Sequence, residues 1–294
     1  MYRIRKLFKR SPYLRKLTGY FLASSGLFDN YFKNYSLSDS WHYRLNLILN
    51  SEDNSCIPRV DGAGKIFGGK QIMHNGLKIY LGSYYGPEYS VVLSQSKGVH
   101  EPQEERVFQE VLKILPKNST MLELGSFWSF YSMWFNKEVD GARNFMIEPD
   151  SFNLGQGKRN FRLNKMKGYF IQAFIGKETN FENRVQILSV DTIIRDNNIN
   201  FLDLLHSDIQ GYEYDMLLGA KKSFAENKIG YVFISTHSNA VHYKCLNFLQ
   251  GENFIIVANA DLDASFSEDG LIVGRAPHYK GIDPIRISLR NQKL

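Results

Sequence analysis

The sequence predicts an α/β protein with a doubly wound, mostly parallel sheet. From about residue 100 onward, apolar runs of strand length alternate with helix-compatible segments. Between residues 119 and 150 one such run ends in E-L-G-S (123–126), a helix-length segment follows, and a second run ends in E-P-D (148–150). This is the pattern of a βαβ unit with an acid near the carboxyl end of each strand.

The first hundred residues predict a smaller extension of mixed α and β structure. They begin as a basic and aromatic segment and then turn rich in Gly, Ser, Asn and Tyr, with β-like runs at 77–81 and 89–93. We therefore assign residues 1–100 to an N-terminal extension, 101–276 to the main domain and 277–294 to a basic C-terminal tail.

The elements of the main domain follow from periodicity and from helix start and stop signals. The first helix is expected near 101–115. Strands are expected near 120–124, 144–148, 168–175, 185–190, 202–207, 229–236, 253–258 and 270–275, and helices near 127–137, 151–164, 191–197, 210–226 and 239–250. Asp191 is expected to be a helix N-cap. No helix fits between the last two strands, so they are expected to pair antiparallel.

The charge is concentrated at the N-terminus. The net charge is +6, but seven Lys and Arg residues precede the first acid, Asp29, so the rest of the chain carries a net charge of −1. A nearly neutral body argues against a nucleic-acid-binding domain. Residues 1–17 interleave cations with apolar side chains, interrupted at Pro12. This pattern fits either contact with an anionic membrane surface or a solvated terminus.

Cysteine usage and hydropathy bound the cellular compartment. Cys56 and Cys245 form no C-x-x-C pair, which favours a reducing compartment over a disulfide scaffold or a zinc knuckle. No apolar run reaches the roughly 18–20 residues of a transmembrane helix. We expect a cytoplasmic protein, with a peripheral position on the inner face of a membrane if the basic segment binds there.

The turn after the first strand of the main domain indicates the kind of cofactor. Neither G-x-G-x-x-G nor G-x-x-x-x-G-K-[ST] occurs there, so pyrophosphate and triphosphate sites are disfavoured. The glycines at 62, 64 and 68 have the wrong spacing and follow no apolar strand, so a loop or hairpin is expected. A carboxylate such as Glu148 suits a ribose diol. The sequence therefore favours a nucleoside cofactor without phosphates, of which S-adenosylmethionine is the common one.

Three segments, in a fixed order, carry a family resemblance. They are E-L-G-S (123–126); I-E-P-D (147–150) followed by Asn160 and Asn164; and D-L-L-H-S-D-I-Q-G-Y-E (203–213) followed by Leu217, Gly219 and Ala220. Together they resemble the FkbM family of methyltransferases over roughly residues 100–276, and the third segment is the most specific. The family's D-x-G-A-[NH]-x-G is not kept in the first loop. Ser126 follows the first glycine, and Phe130 or a neighbour stands at the second.

The resemblance implies a Rossmann-like class I methyltransferase with a mostly parallel seven-stranded sheet and S-adenosylmethionine at the ends of strands one to four. Glu148 would accept from the ribose hydroxyls, and the segment around Phe174 would flank adenine. The cofactor-binding residues that it implies are Glu123, Gly125, Ser126, Glu148, Ala173, Phe174 and Asp208.

Four further side chains are candidates for catalysis. His206 and Asp208 lie two apart on an expected strand and share one side, Glu213 lies on the first turn of the next helix, and His237 follows the fifth strand. Either His206 or His237 is a general base that Asp208 orients, or Asp208 and its neighbours hold a divalent metal ion. The metal-free route is favoured because Mg²⁺ prefers oxygen ligands and histidine, of which this group has two, is an unusual ligand for it. A buried core histidine is the alternative for His206.

The expected function is methylation of a sugar hydroxyl in a glycan or a glycosylated metabolite, since this is what members of the resembling family tend to do. The expected partner is therefore a small-molecule or glycan acceptor, and no nucleic acid is expected. Two alternatives stay open. One is a nitrogen or non-sugar acceptor, and the other is a non-catalytic, cofactor-binding scaffold in polysaccharide assembly.

Overall fold

A computed structural model describes residue 23 and residues 25–182 and 184–290. The basic segment 1–17 and the last four residues of the expected tail lie outside these ranges. The described chain divides into two compact units. One takes the residues up to Leu45 together with Pro58–His100, and the other takes Asn46–Ile57 and the residues from Glu101 onward. None of the helices in the described ranges is long and apolar enough to cross a membrane.

The first unit combines short helices with a three-stranded antiparallel sheet whose strands pair in chain order. Its elements are α1 (Asp29–Lys33), α2 (Asp39–Asn50, which continues into the second unit), β1 (Ile66–Phe67), β2 (Lys70–Ile72), β3 (Lys78–Tyr80) and α3 (Pro87–Gln95). The glycine-rich stretch at 62–68 leads into the β1–β2 hairpin, as its spacing predicted.

The expectation of a β-like run at 89–93 was wrong, because these residues lie in α3. Pro87 occupies the first turn, a position that suits proline since no intrahelical partner is lost there. The fully buried residues Tyr89, Val92 and Leu93 are spaced as on one face of a helix. Adjacent β-branched residues suggested a strand, and burial of this helical face overrode that propensity.

The second unit holds the predicted alternation of strands and helices. Its elements are a 3₁₀ helix (Glu52–Cys56), α4 (Pro102–Leu112), β4 (Thr120–Leu124), α5 (Phe130–Glu138), β5 (Arg143–Ile147), α6 (Ser151–Leu163), β6 (Tyr169–Ile171), β7 (Phe174–Ile175), β8 (Ile187–Leu188), α7 (Val190–Asp196), β9 (Leu202–Ser207), α8 (Glu213–Leu218), α9 (Lys221–Ala225), β10 (Ile229–Thr236), α10 (Asn239–Gly251), β11 (Ile255–Ala260) and β12 (Gly270–Arg275).

Seven strands form one sheet in the order β11-β12-β10-β9-β4-β5-β6, and β7 pairs with β8 separately. All pairs in the large sheet are parallel except those of β12, which runs antiparallel to β10 and β11. The predicted antiparallel ending is therefore confirmed. The strand order reverses between β4 and β9, and in open α/β sheets this switch point is where ligands bind, outside the carboxyl ends of the strands.

Asp191 was expected to cap its own helix, but it does not. The N-cap of α7 is Ser189, whose hydroxyl accepts from the Thr192 backbone N–H. The Asp191 carboxylate instead accepts from the backbone N–H groups of Lys222 and Ser223 in α9 at 3.0 and 2.9 Å. The helix that it caps is thus a different one, brought close by the fold.

A fully buried carboxylate ties the C-terminal segment to the second unit. Asp53 forms an ion pair with the Arg106 guanidinium on α4 and accepts from the Ser288 backbone N–H at 2.8 Å. Gln103 donates to the Ser288 carbonyl, and Ile285 donates to the Val257 carbonyl on β11. Most of the stretch that the sequence suggested to be a tail, up to residue 290, therefore contacts the domain.

We expect Asp53→Asn to lower the free energy of unfolding by about 2–4 kcal/mol, because it breaks a buried ion pair that also receives hydrogen bonds. Urea denaturation of the full chain measures this. Asp196→Asn is the matched control, since the Asp196–Arg195 pair is exposed, and its midpoint should equal that of the wild type. Equal midpoints for both variants would contradict the structural role of Asp53.

Candidate active site

The candidate site lies where the carboxyl ends of strands β4 and β9 meet. Gly125 follows β4 with φ +74°, and a Cβ there would lie 1.7 Å from the carbonyl oxygen of Asp208. The Asp208 backbone N–H in turn donates to the Leu124 carbonyl at 3.0 Å. Both the left-handed conformation and the close approach require glycine. Gly125 therefore lets the carboxyl ends of β4 and β9 come together at the switch point, and we expect it to form the floor of a ligand site there.

The loop after Gly125 differs in sequence from the pattern of the FkbM family that the chain resembles. It still has a left-handed backbone conformation at the position of the second glycine in that pattern. Ser129, the residue before α5, has φ +61°, the left-handed conformation that glycine favours. It stands where the family has its second glycine, so the neighbour of Phe130 that the sequence left open is Ser129. A Cβ on Gly157 of α6 would lie 2.3 Å from the Ser129 hydroxyl, so Gly157 gives this serine its room.

Several buried polar atoms around this loop have no hydrogen-bond partner among the described residues. They are Glu123 Oε2, Ser126 Oγ, Ser129 Oγ and Ser207 Oγ. An unsatisfied buried polar atom costs about 1–3 kcal/mol, so a cluster of them in a native fold calls for a ligand or water. A carboxylate and hydroxyls are suited to the ammonium and carboxylate of a methionine moiety. The residues expected to line that part of the cofactor, Glu123, Gly125 and Ser126, therefore fit it.

Glu148 is held in place at the carboxyl end of β5. Its two carboxylate oxygens accept from the backbone N–H groups of Phe127 at 3.2 Å and Asp150 at 2.9 Å. The side chain is buried, and burial raises the pKa of Glu148 despite these donors. Each oxygen keeps a second lone pair with which to accept from a ribose hydroxyl.

The segment expected to flank adenine lies beside Glu148. The Gln172 side chain donates to the carbonyl of Pro149, the residue after Glu148, at 2.9 Å. Ala173 is fully buried, and Phe174 is about half exposed at 50%. A half-exposed aromatic ring in the same segment as Gln172 suits the adenine base that this segment is expected to flank.

Glu123 is the carboxylate with an abnormal pKa near neutrality. Burial raises its pKa from the ordinary value of 4.5 to about 7, while the charge of His206 opposes the rise. Glu123 and His206 are register partners on the parallel strands β4 and β9, so their side chains point to the same face. The protonation state of Glu123 therefore changes within the physiological pH range.

His206 lies in the interior, behind Glu123. It is 3% exposed, and its Nε2 is 2.7 Å from Glu104 Oε1 on α4. Its ring packs beside Phe108 and Tyr131. Burial would lower the pKa of His206, but the charge of Glu104 overcomes this and raises it. Glu104, in turn, accepts from the Ser235 hydroxyl at 3.1 Å.

His237 is the centre of a cluster of three carboxylates at the ends of β9 and β10. Its Nδ1 is 2.7 Å from Glu213 Oε1, and its Nε2 is 3.2 Å from Asp208 Oδ1 and 3.4 Å from Asp269 Oδ1. Glu213 is fully buried and also accepts from the Gly211 backbone N–H at 2.9 Å. The structure thus brings Asp208, Glu213 and His237 together.

The charge state of His237 follows from this cluster. Burial opposes the charged ring, but hydrogen bonds to Asp208 and Glu213 and the charge of Asp269 raise the pKa of His237 to about 10. The ring is therefore an imidazolium at neutral pH. Gln210 Nε2 lies 2.8 Å from His237 Nε2. Because an imidazolium only donates, Gln210 would present its amide oxygen to the charged ring.

Sequence reasoning missed Asp269, Gln210 and Glu104. Asp269 stands 32 residues after His237 in the sequence and reaches the cluster only because β12 returns antiparallel beside β10. Glu104 lies in the first turn of α4, where an acid suits the helix dipole whatever else it contacts, so its burial against β9 could not be foreseen. The available signal for Asp269 was an acid directly before the last strand.

Among the residues in the described ranges, no three His, Cys, Asp or Glu side chains are grouped as ligands of a metal ion. The metal-free and metal-assisted routes considered for Asp208 thus remain to be separated by experiment.

The order of the seven strands and the antiparallel last strand are those of a Rossmann-like methyltransferase fold. Residues 114–256 match the family model described as the methyltransferase FkbM domain. The chain carries an FkbM methyltransferase domain, which confirms the resemblance drawn from its three segments. S-adenosylmethionine is the cofactor that the family indicates and that the buried polar atoms fit.

Solved methyltransferase structures show a distant likeness. Precorrin-6y C5,15-methyltransferase from Geobacter metallireducens GS-15 is 13% identical, with a TM-score of 0.42 over 58% of this chain and 87% of that chain. M. capricolum TrmK, in complex with S-adenosyl-homocysteine, is 14% identical (TM-score 0.39; 59% and 69%). A SAM-dependent methyltransferase from Aquifex aeolicus is 10% identical (TM-score 0.37; 60% and 90%). No curated protein matches the chain.

We expect Gly125→Ala to raise the dissociation constant of S-adenosylmethionine by at least about tenfold, since the added methyl forces the β4 and β9 ends apart. Isothermal titration measures it. Gly155→Ala on α6 is the control, because a Cβ there meets nothing within 4 Å, and it should bind as the wild type does. Unchanged binding by Gly125→Ala would contradict the proposed floor.

We expect Glu123→Gln to flatten the pH dependence of stability. In the wild type the folded chain holds a proton between about pH 4.5 and 7 that the unfolded chain releases, so this residue's contribution to stability falls as pH rises through that window, by roughly 3 kcal/mol. Urea midpoints at pH 5 and pH 8 test this. Glu182→Gln, at an exposed site, should keep the wild-type pH dependence. An equally steep dependence in Glu123→Gln would contradict the raised pKa.

Proposed function

We propose that the chain methylates a hydroxyl group of a sugar, in a glycan or a glycosylated metabolite, with S-adenosylmethionine as methyl donor. The observation that carries the proposal is the Asp208–Glu213–Asp269 carboxylate cluster around His237, at the sheet edge next to the Gly125 crevice. A hydroxyl acceptor must lose its proton as it is methylated, and three carboxylates against one imidazolium leave a net negative charge there to receive it.

The cofactor would be held by the carboxyl ends of β4 and β5. S-adenosylmethionine, when bound, supplies a methyl group on a positively charged sulfonium. The Glu123 carboxylate would bind the ammonium of the methionine moiety, and Glu148 would bind the ribose hydroxyls. The remaining task of the chain is to position the acceptor oxygen and to take up its proton.

Asp208 is the proton acceptor in this proposal. It follows β9 directly, its side chain is 29% exposed, and it contacts His237. His237, charged at neutral pH, cannot accept a proton in that state, so it would fix the Asp208 carboxylate instead. His206 is enclosed by Glu104 and aromatic rings. We propose that it positions the Glu123 side chain, its partner on the neighbouring strand.

The surroundings of the cluster also carry groups that suit a hydroxyl-bearing acceptor. A cavity of about 10 Å³ beside it has room for about one water molecule and none for a sugar. The side chains around it include Gln103, Glu104, Ser235, Ser265, Ser267 and Asp269, and none of the described residues there is a Lys or Arg. Serine hydroxyls both donate and accept, and carboxylates accept, so these groups could bind a single hydroxyl group of an acceptor that lies outside the cavity.

The same negative charge also favours a second candidate, a nitrogen acceptor. An amine enters as an ammonium ion, is attracted by Asp208, Glu213 and Asp269, and must lose a proton before its nitrogen attacks. A panel of sugars, glycans and amines, incubated with S-adenosylmethionine that carries a labelled methyl group, separates the two. Label on an amine alone would replace the first candidate. Cofactor binding without transfer to any acceptor would favour the scaffold alternative.

We expect Asp208→Asn to lower turnover about 10²–10⁴-fold, the range for loss of a general base, with S-adenosylmethionine still bound in isothermal titration. Asp215→Asn is the matched control, an exposed acid on α8, and should retain wild-type turnover. Wild-type turnover by Asp208→Asn would contradict its role.

The pH profile of the wild type then assigns the base. If His237 accepts the proton, kcat/KM rises about tenfold for each pH unit up to its pKa of about 10. A profile without this rise between pH 7 and 9 would exclude His237 as the acceptor. Addition of a chelator tests the metal route, since only a metal-dependent reaction would stop.

A further inference from the structure

An exposed apolar patch lies on the first unit. We define it by Leu27, Phe28, Tyr31 and Phe67. Leu27 and Phe67 are 80% and 82% exposed, and Phe28 and Tyr31 are 39% and 53% exposed. Single exposed apolar residues are ordinary, but four large ones on neighbouring turns mark an interaction surface.

The patch comes from two segments of the chain, residues 27–31 and the β1–β2 hairpin around Phe67, and contacts between these segments hold it together. The Asp29 carboxylate accepts from the backbone N–H groups of Gly68 and Gly69 at 2.7 and 2.9 Å, so the start of α1 is fixed to the tip of the β1–β2 hairpin. A Cβ on Gly26 would lie 3.0 Å from Gly68. Leu27 follows Gly26 and Phe67 precedes Gly68, so both side chains leave the surface from turns in contact.

A small core supports the patch from below. Ala23, Phe32, Ile66 and Leu81 are buried together under the two segments. Because Phe32 follows Tyr31 and Ile66 precedes Phe67, the exposed side chains alternate with buried ones that anchor the backbone. The patch is therefore a built surface of the unit.

Cations lie beside the patch. Lys65 is exposed and two residues from Phe67 on the same side of the chain, and Lys70 pairs with Phe67 across the hairpin. The acid nearest to the patch in sequence, Asp29, is already engaged by two backbone N–H groups. Seven Lys and Arg residues between positions 3 and 16 precede the patch in the sequence.

We propose that this patch docks the chain on an anionic lipid bilayer. Leu27, Phe28 and Phe67 would enter the boundary between head groups and acyl chains, Tyr31 would lie at head-group level, and the lysines would contact lipid phosphates. Four side chains are too few for the roughly 800 Å² per partner of a stable protein interface. A bilayer needs only a few inserted side chains, and each nearby cation adds attraction to the anionic head groups.

Sedimentation of the full chain with lipid vesicles tests this. The wild type should bind vesicles of phosphatidylglycerol and phosphatidylcholine and should bind phosphatidylcholine alone at least about tenfold more weakly. The double variant Leu27→Ser, Phe67→Ser should bind anionic vesicles about tenfold or more weakly, because two large apolar side chains no longer enter the bilayer. Both positions are exposed, so its melting temperature should stay unchanged.

Two comparisons keep the proposal falsifiable. Phe181→Ser removes an aromatic ring that is 65% exposed on the second unit, and it should bind vesicles as the wild type does. Lys65→Glu, Lys70→Glu should weaken binding to anionic vesicles only. Wild-type binding by the Leu27, Phe67 variant would overturn the proposal, as would an equal loss with Phe181→Ser. A dimer in ultracentrifugation that this variant converts to a monomer would overturn it in favour of a second copy of the chain.

Discussion

The carboxyl ends of strands β4 and β9 approach each other closely at Gly125, and the site depends on this constraint. With no side chain at Gly125, the Asp208 carbonyl can lie against the β4 turn, and the register of the two strands then places Glu123 beside His206. The same turn directs two consecutive backbone N–H groups to the Ile147 carbonyl at the end of β5. Three strand ends are thereby fixed relative to one another by main-chain contacts.

Two kinds of carboxylate environment occur along this edge. Glu123 is a buried acid whose pKa burial raises to about 7, whereas Asp208 and Glu213 share the cationic ring of His237. Such divergent environments separate acids that bind a cofactor from acids that handle a proton, as is common where one fold carries out charge-dependent chemistry. Under the proposed function, the acids beside β4 and β5 would bind the cofactor, and those beside β9 and β10 would take up the proton of the acceptor.

Much of the fold could be predicted because its signals are local. The strands around 120–124, 202–207 and 229–236 are continuous apolar runs, as is typical of parallel strands that are buried on both faces. Glu148 and Asp208 stand directly after strands, so the rule for sheet edges found them. The α3 helix and the placement of Glu104 and Asp269 could not be predicted, because they depend on packing between elements distant in sequence, which overrides local propensity.

Strand β12 lies between β10 and β11, although it comes after both in the chain. The two earlier strands are therefore not hydrogen-bonded to each other, and each must wait for residues 270–275 before that side of the sheet can close. During synthesis on the ribosome, the unpaired edges of β10 and β11 would stay exposed until the last part of the chain emerges. A chain that ends at residue 256, where the family match stops, would lack β12 and most of β11, so the edge of β10 would stay unpaired and prone to aggregation.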